Sequence, residues 1–313
     1  MFYFQIKRES IVYVENFSSL MVTMPLRLRN NTGNGTEQNL CFVNSIIQVL
    51  NNIPEFKEYF TSRGCKSNFK GKLPISDELS RLLSFKAIVS TSAATLRTLV
   101  SQESKRYYLA DGSQQDACEF LDTLLQELRN EFKENGITTG DEILEKFSGW
   151  EERRKKFLDT NNGFCYTCGM GPRKEVERFN SLKFPVKQTS SVISLRDLAR
   201  DYFKDGGSIL DMRCSYCQVG SNKSVSCTTS ISVSPEYLII VLLKNQSHIK
   251  AKVDTLVVPE NILTLPNGDQ FELKSISDHI GDFIYNGHYT ATLKQNNVWI
   301  NAMMRDLQLS YLA

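Results

Sequence analysis

Gln38-Asn39-Leu40-Cys41-Phe42-Val43-Asn44-Ser45-Ile46-Ile47-Gln48-Val49-Leu50 sets one cysteine at the point where a polar loop gives way to a helix. Phe42, Ile46, Val49 and Leu50 recur at helical spacing, which predicts a helix of about ten residues beginning near Cys41. The residues before it (Asn30, Asn31, Gly33, Asn34, Gly35) carry loop chemistry. Free backbone N–H groups and the positive end of the helix dipole at such a junction favour a thiolate over a thiol. A buried structural cysteine on a helix is the commoner occurrence, so Cys41 gains meaning only with a base elsewhere in the chain.

Three histidines are available: His248, His279 and His288. His288 lies in Tyr285-Asn286-Gly287-His288-Tyr289-Thr290-Ala291-Thr292-Leu293, whose alternation from Tyr289 onward predicts a strand. Gly287 lets the backbone pass close to a neighbour there. A second short strand is expected at Val298-Trp299-Ile300-Asn301, with an amide at its end. Cysteine, histidine and an amide, in that order, are the parts of a thiol hydrolase: the imidazole takes the thiol proton and the third group orients the imidazole. Asn301 can accept the imidazole N–H through its carbonyl but supplies no charge. His248 follows a long apolar strand in a loop and is read as unrelated to chemistry.

With these stretches quoted, the chain resembles the ubiquitin-specific protease family of deubiquitinases. Gln38 to Gln48 is similar to its cysteine box, and Gly287-His288-Tyr289 to its histidine box. The resemblance implies an α+β fold of papain-like architecture, with a helical thumb, an antiparallel β palm and zinc-ribbon fingers. It also implies hydrolysis of the bond after the C-terminal glycine of ubiquitin, with Cys41 as nucleophile, His288 as base and Asn301 as orienting group. His279 resembles the family's histidine at the mouth of the cleft.

Length and composition are compatible with that reading. The 313 residues suit one large domain or two average ones, and 41% hydrophobic with 10% aromatic residues suit a packed core. A formal charge of +2 argues for neither nucleic acid nor an anionic membrane as partner. The N-terminus meets charge at Lys7, Arg8 and Glu9 before a signal-peptide core could form, which predicts an intracellular address in cytoplasm or nucleus. The partners expected are ubiquitin and ubiquitinated proteins, and the chain is expected to be a monomer. Residues 1–25 read as a lead-in and 26–313 as the catalytic domain, with 26–160 mainly thumb, 161–235 fingers and 236–313 palm.

Further along, Ser113-Gln114-Gln115-Asp116 matches a capping box. Ala117, Phe120, Leu121, Leu124, Leu125, Leu128 and Phe132 then form one apolar helix face. The Gln-Gln-Asp-Ala run with Glu119-Phe120 resembles a second family signature, which implies that Gln115 and Asp116 bind the basic ubiquitin tail. Tyr289 and His279 join them as expected substrate contacts. Residues 135–163 are charged and turn-rich, and read as a solvated helix or connection with Ile143, Leu144, Phe147 and Trp150 turned inward.

Cys165-Tyr166-Thr167-Cys168 and Cys214-Ser215-Tyr216-Cys217 offer four soft thiolates in two pairs, the pattern of a closed structural zinc site. A redox role is disfavoured because neither pair sits on a strand-to-helix turn. The resemblance agrees, since that family carries such a ribbon at the tip of its fingers. Downstream the chain turns β-rich. Pro235-Glu236-Tyr237-Leu238-Ile239-Ile240-Val241-Leu242-Leu243-Lys244 predicts a strand buried on both faces, and Phe271 to Ile276 another strand.

Three features depart from the family pattern. Thr36 stands where the family usually has an oxyanion-binding asparagine, leaving Thr36, Gln38 and Asn39 as candidates beside the Cys41 backbone N–H. Ala302 replaces a usual acidic residue, and the closing strand of the palm is not evident before Ala313. Two rivals follow: a catalytically weak ubiquitin-binding scaffold, and a protease for another ubiquitin-like modifier. A zinc-dependent nucleic-acid binder ranks last, because the lysines and arginines after Cys168 are interrupted by Glu175 and Glu177.

Overall fold

The strand Tyr237–Leu243 (β8) is apolar throughout because each of its faces lies in a different core. Tyr237, Ile239 and Val241 pack with the helices, whereas Leu238, Ile240 and Leu242 pack with Phe184, Leu195, Phe271 and Leu273 on the other side. The computed structural model describes residues 2–7, 25–30, 38–62, 73–84, 90–137, 139–157, 173–204, 208–212, 223–246, 249–283 and 286–302.

The palm sheet runs β15 (Val298–Asn301), β14 (Asn286–Gln295), β13 (Gln270–Phe283), β1 (Phe2–Lys7), β8, β4 (Ser181–Pro185), with β9 (Asn245–Gln246), β10 (Ile249–Lys252) and β12 (Ile262–Thr264) alongside. All its pairings are antiparallel except β4 with β8. The first residues, expected as lead-in, instead supply β1, which is inserted between β8 and β13. Its partners are more than 200 positions away in sequence, so local pattern alone does not reveal it.

The helices form the thumb: α1 (Cys41–Asn51), α2 (Pro54–Thr61), α3 (Pro74–Leu83), α4 (Ala94–Glu103), α5 (Ala117–Glu134) and α6 (Thr139–Glu145). Pro54 and Pro74 occupy first helical positions, where a missing N–H is harmless. α5 starts three residues later than the Ser113 box predicts. Asp116 is the N-cap and accepts from the Glu119 N–H at 2.9 Å, while Asp111 accepts from the backbone N–H and hydroxyl of Ser113. The buried carboxylate of Glu131 on α5 accepts the first N–H groups of α3, from Ile75 (2.9 Å) and Ser76 (3.0 Å).

A second sheet runs β3 (Arg173–Phe179), β2 (Gly149–Phe157), β7 (Lys223–Val233), β6 (Ser208–Met212). Here the solvated helix or connection expected around Trp150 gives way to β2. Its charges run unbroken from Glu151 to Lys156, on both faces of the strand, and pair across strands: Lys155 with Glu175 (2.5 Å), Arg153 with Glu177 (3.4 Å) and Lys174 with Glu152 (2.6 Å). Ile143, Leu144 and Phe147 are buried as expected, but Trp150 is 40% exposed. Helix α7 (Leu195–Phe203) covers the second core, and the short pair β5 (Ile193–Ser194) and β11 (Val257–Val258) adjoins it.

Candidate active site

Cys41 is the first residue of α1 and is 2% exposed. Backbone N–H groups of Tyr289, Phe42 and Cys41 itself point at its sulfur and favour the thiolate. Burial outweighs them and pushes the thiol above its ordinary range, so the lowering expected from the helix terminus does not prevail. His288 sits on β14, and half-burial shifts its imidazole below its usual value. At neutral pH both groups therefore rest uncharged. The Tyr289 N–H reaching Cys41 sets the segment of β14 that carries His288 against the start of α1.

One edge of β14 organises this arrangement. Ala291 accepts from the Ala302 N–H (2.8 Å), so odd-numbered residues of β14 turn their peptide groups toward β15. Along the same edge Tyr289 gives its N–H to Cys41, and Gly287 meets the side chain of Gln114. Opposite, β13 pairs Ile280 with His288 and His279 with Tyr289, and the His279 and Tyr289 rings lie 4.6 Å apart. A Cβ on Gly287 would come within 2.3 Å of the Ile280 carbonyl and 2.6 Å of the His279 ring, so only glycine fits.

The structure places the other expected residues unevenly. Asn301 pairs with Thr292, four residues along β14 from His288. At ~3.4 Å per residue that is about 14 Å along the strand, more than the two side chains span. The two-residue turn at Asn296-Asn297 fixes this register, which spacing from the tryptophan did not disclose. Asn39, with φ 52°, commits its amide N–H to the Gly112 carbonyl (2.9 Å), and the Gln38 carbonyl accepts from the buried guanidinium of Arg97 (2.8 Å). Thr36 and His248 lie outside the described residues, as do Cys165, Cys168, Cys214 and Cys217. Gln115 bonds the Tyr108 carbonyl (2.9 Å) and Asp116 caps α5. Tyr289 is buried, and its hydroxyl oxygen accepts from the Ala117 N–H; burial pushes that phenol well up. It is therefore a strut between β14 and α5 as much as a cleft residue.

Side-chain amides missed by periodicity hold the seam. Asn44, Gln48 and Asn52 recur every four residues along α1. Asn44 donates to the Arg29 carbonyl (3.0 Å). Gln48 pairs with both the N–H (3.0 Å) and the C=O (2.6 Å) of Leu26. Asn52 donates to the Lys274 carbonyl (3.1 Å) and the Ser275 hydroxyl (3.1 Å), and accepts from Gln295 (3.0 Å). The polar letters inside the cysteine box were the available signal.

Among the described residues no group of three His, Cys, Asp or Glu side chains is arranged to hold a metal, and no helix is long and apolar enough to cross a membrane. Comparison with known proteins adds two findings. The family described as ubiquitin carboxyl-terminal hydrolase matches residues 30–308. Among solved structures, the fold is similar to the SAGA Ubp8/Sgf11/Sus1/Sgf73 DUB module bound to ubiquitin aldehyde, with TM-score 0.68 and 19% identity over 92% of this chain and 66% of that one. It is also similar to a SAGA DUB module in which a substituted Ubp8, with Sgf11, Sus1 and Sgf73, is bound to monoubiquitin, with TM-score 0.69 and 19% identity over 97% of this chain and 70% of that one. The chain thus spans about two thirds of those proteins, and at that identity the likeness concerns the fold. No curated protein sequence matches.

Proposed function

The chain belongs to the ubiquitin carboxyl-terminal hydrolase family, and from that premise we propose that it is a thiol-dependent deubiquitinase with Cys41 as nucleophile and His288 as general base. The observation that carries the proposal is the Tyr289 backbone N–H on the Cys41 sulfur, which sets the histidine strand directly against the start of α1. His288 removes the thiol proton as the sulfur attacks the carbonyl of the C-terminal glycine, then protonates the leaving lysine amine. Water resolves the thioester with the same imidazole as base. Because both partners rest neutral, the proton moves during attack instead of being lost beforehand. The Cys41 backbone N–H, at the open end of α1, supplies one donor to the oxyanion. Gln115 and Asp116 flank this point at the start of α5, where a basic tail is accommodated. The site is intracellular.

Zinc is proposed as a structural component. Phe157, Arg173, Met212 and Lys223 all lie at one end of the second sheet, by the pairings of β2 with β3 and β7 and of β6 with β7. The connections bearing Cys165-x-x-Cys168 and Cys214-x-x-Cys217 therefore leave from the same end, and four thiolates from two such connections fit a tetrahedral ion that holds them together. One zinc per chain by elemental analysis, lost in Cys168→Ser, supports this; a metal-free folded chain refutes it.

The deciding experiment treats the purified chain and Cys41→Ala with ubiquitin bearing a C-terminal electrophile. A covalent adduct in the first and none in the second supports the proposal. Binding without an adduct favours a weakly catalytic ubiquitin-binding scaffold, a reading motivated by Thr36 and by the distance of Asn301 from His288. Neither adduct nor binding points to another ubiquitin-like modifier.

A further inference from the structure

His288 is held on both sides by the start of a single helix. On one side, the carboxamide of Gln114 donates to the Gly287 carbonyl (2.6 Å) and accepts from the Gly287 N–H (2.8 Å). On the other, the Tyr289 hydroxyl accepts from the Ala117 N–H. The two anchors stand one residue before and one after the imidazole, and three residues apart on the α5 side. Gln114 gives Gly287 a donor on the same edge of β14 where the Ala302 N–H serves Ala291. The Gly287 backbone lies too close to His279 and the Ile280 carbonyl to carry a side chain, so the clamp grips a strand with no slack toward β13.

We propose that Gln114 is a positioning residue for the reaction: through its two-way bond to Gly287 it fixes where His288 stands relative to Cys41, taking part of the orienting task that the register denies to Asn301. This rests on the deubiquitinase reading and deepens it. Gln114 directly precedes Gln115 and Asp116, so the segment proposed to receive the basic tail also holds the general base.

Position matters more than affinity here, so loss of the clamp should fall on kcat. A misplacement on the order of 1 Å can cost roughly 100-fold in turnover. Gln114→Ala is therefore expected to lower kcat by about 100-fold, with KM for a ubiquitin C-terminal amide little changed. Gln114→Glu separates positioning from general weakening. As a carboxylate it accepts from the Gly287 N–H but opposes the Gly287 carbonyl. Once protonated it presents both a donor and an acceptor, as glutamine does. The other titratable groups around the clamp are His279 against Gly287, with Asp116, Cys41 and Cys118 facing Tyr289. They are common to all three proteins, so each rate is taken relative to wild type at the same pH. The Gln114→Glu ratio should rise from pH 8 to about pH 5.5, as its carboxyl begins to protonate and restores the clamp, while the Gln114→Ala ratio should fall, because its His288 protonates at a higher pH than in wild type.

A readout independent of turnover is the NMR titration of the three imidazoles. Without the clamp, His288 gains solvent and its titration moves up toward the ordinary histidine range, while wild type titrates lower. An unchanged His288 titration in Gln114→Ala, or a Gln114→Glu ratio that stays flat with pH, overturns the proposal. The titration decides whether or not the wild type cleaves ubiquitin; a wild type that neither cleaves nor binds it would instead refute the deubiquitinase reading. Should Gln114→Ala fail to fold, judged by thermal melting, the pH dependence of Gln114→Glu still decides.

Discussion

The seam between thumb and palm and the outer sheet of β2, β3, β6 and β7 are both held by polar contacts, but of opposite kinds. The seam uses neutral carboxamides, Asn52 on Lys274, Ser275 and Gln295, and Gln114 on Gly287, while Gln48 on Leu26 braces the same helix from within the thumb. The outer sheet uses ions, with Glu152 held below its usual range by Lys174 and Arg154, and Lys155 bonded to Glu175. A buried amide satisfies a backbone group without taking a charge out of water, and its geometry does not respond to pH or salt. Ion pairs at the surface are weaker and are screened. The junction that must align sulfur and imidazole is therefore built from the invariant kind of contact. The sheet away from that junction is built from the adjustable kind.

The sharpest way to test the seam is to remove its base. His288→Ala is expected to lower kcat/KM on a ubiquitin substrate by about 100- to 10,000-fold, the usual worth of a general base. The pH dependence of the wild type follows from the same group. Burial holds the imidazole below its ordinary value, so it stays neutral and competent down to below pH 6.5 and is lost only as the pH falls through its folded value. The Cys41 thiol is raised above its ordinary value, so alkylation of the free chain by iodoacetamide should keep rising beyond pH 9, with no plateau at neutrality. A neutral-pH plateau would mean a standing thiolate–imidazolium pair and would break the account of a neutral resting site.

Much of this seam was legible beforehand, for reasons that differ by residue. The positions of Cys41 at the start of α1 and of His288 on β14 were readable because a loop-to-helix cysteine and a glycine-preceded strand histidine have distinctive surroundings; their catalytic roles are proposals. β8 is legible because an unbroken apolar run has few homes. β2 was not, because charge on both faces of a strand resembles a solvated helix until Glu175 and Glu177 of β3 are placed beside it. The distance of Asn301 from His288 was not legible because it depends on hairpin register, which chain order does not encode. Gln114 was visible only as part of the Gln-Gln-Asp-Ala run: its bond to Gly287 was not legible, because a glutamine in a turn has no periodicity and its partner lies far along the chain.

Removing a stitch instead of the chemistry should give a smaller effect, and in stability more than in rate. Asn52→Ala strands the Lys274 carbonyl, the Ser275 hydroxyl and the Gln295 amide inside the seam. Leaving buried partners unsatisfied costs about 1–3 kcal/mol. At roughly 2–4 °C per kcal/mol, the melting temperature should fall by several degrees. A neutral result would mean that water replaces the side chain and that the amides are incidental to the seam.

The smallest effect is expected in the outer sheet. Lys155→Ala removes the partner of Glu175 at a site where both side chains retain some solvent contact, and it should change global stability by at most about 1 kcal/mol. Salt separates the two regions without mutation. Raising ionic strength from 0.1 to 1 M shortens the screening length from about 10 to about 3 Å. Amide exchange in β2 and β3 should then quicken, while exchange at Leu26, Gly287 and Tyr289 holds steady, since carboxamides carry no charge to screen. Equal quickening at both would show that the ion pairs and the amides respond as one cooperative unit. Quickening confined to β2 and β3 would show that the outer sheet can adjust while the Cys41–His288 alignment stays fixed.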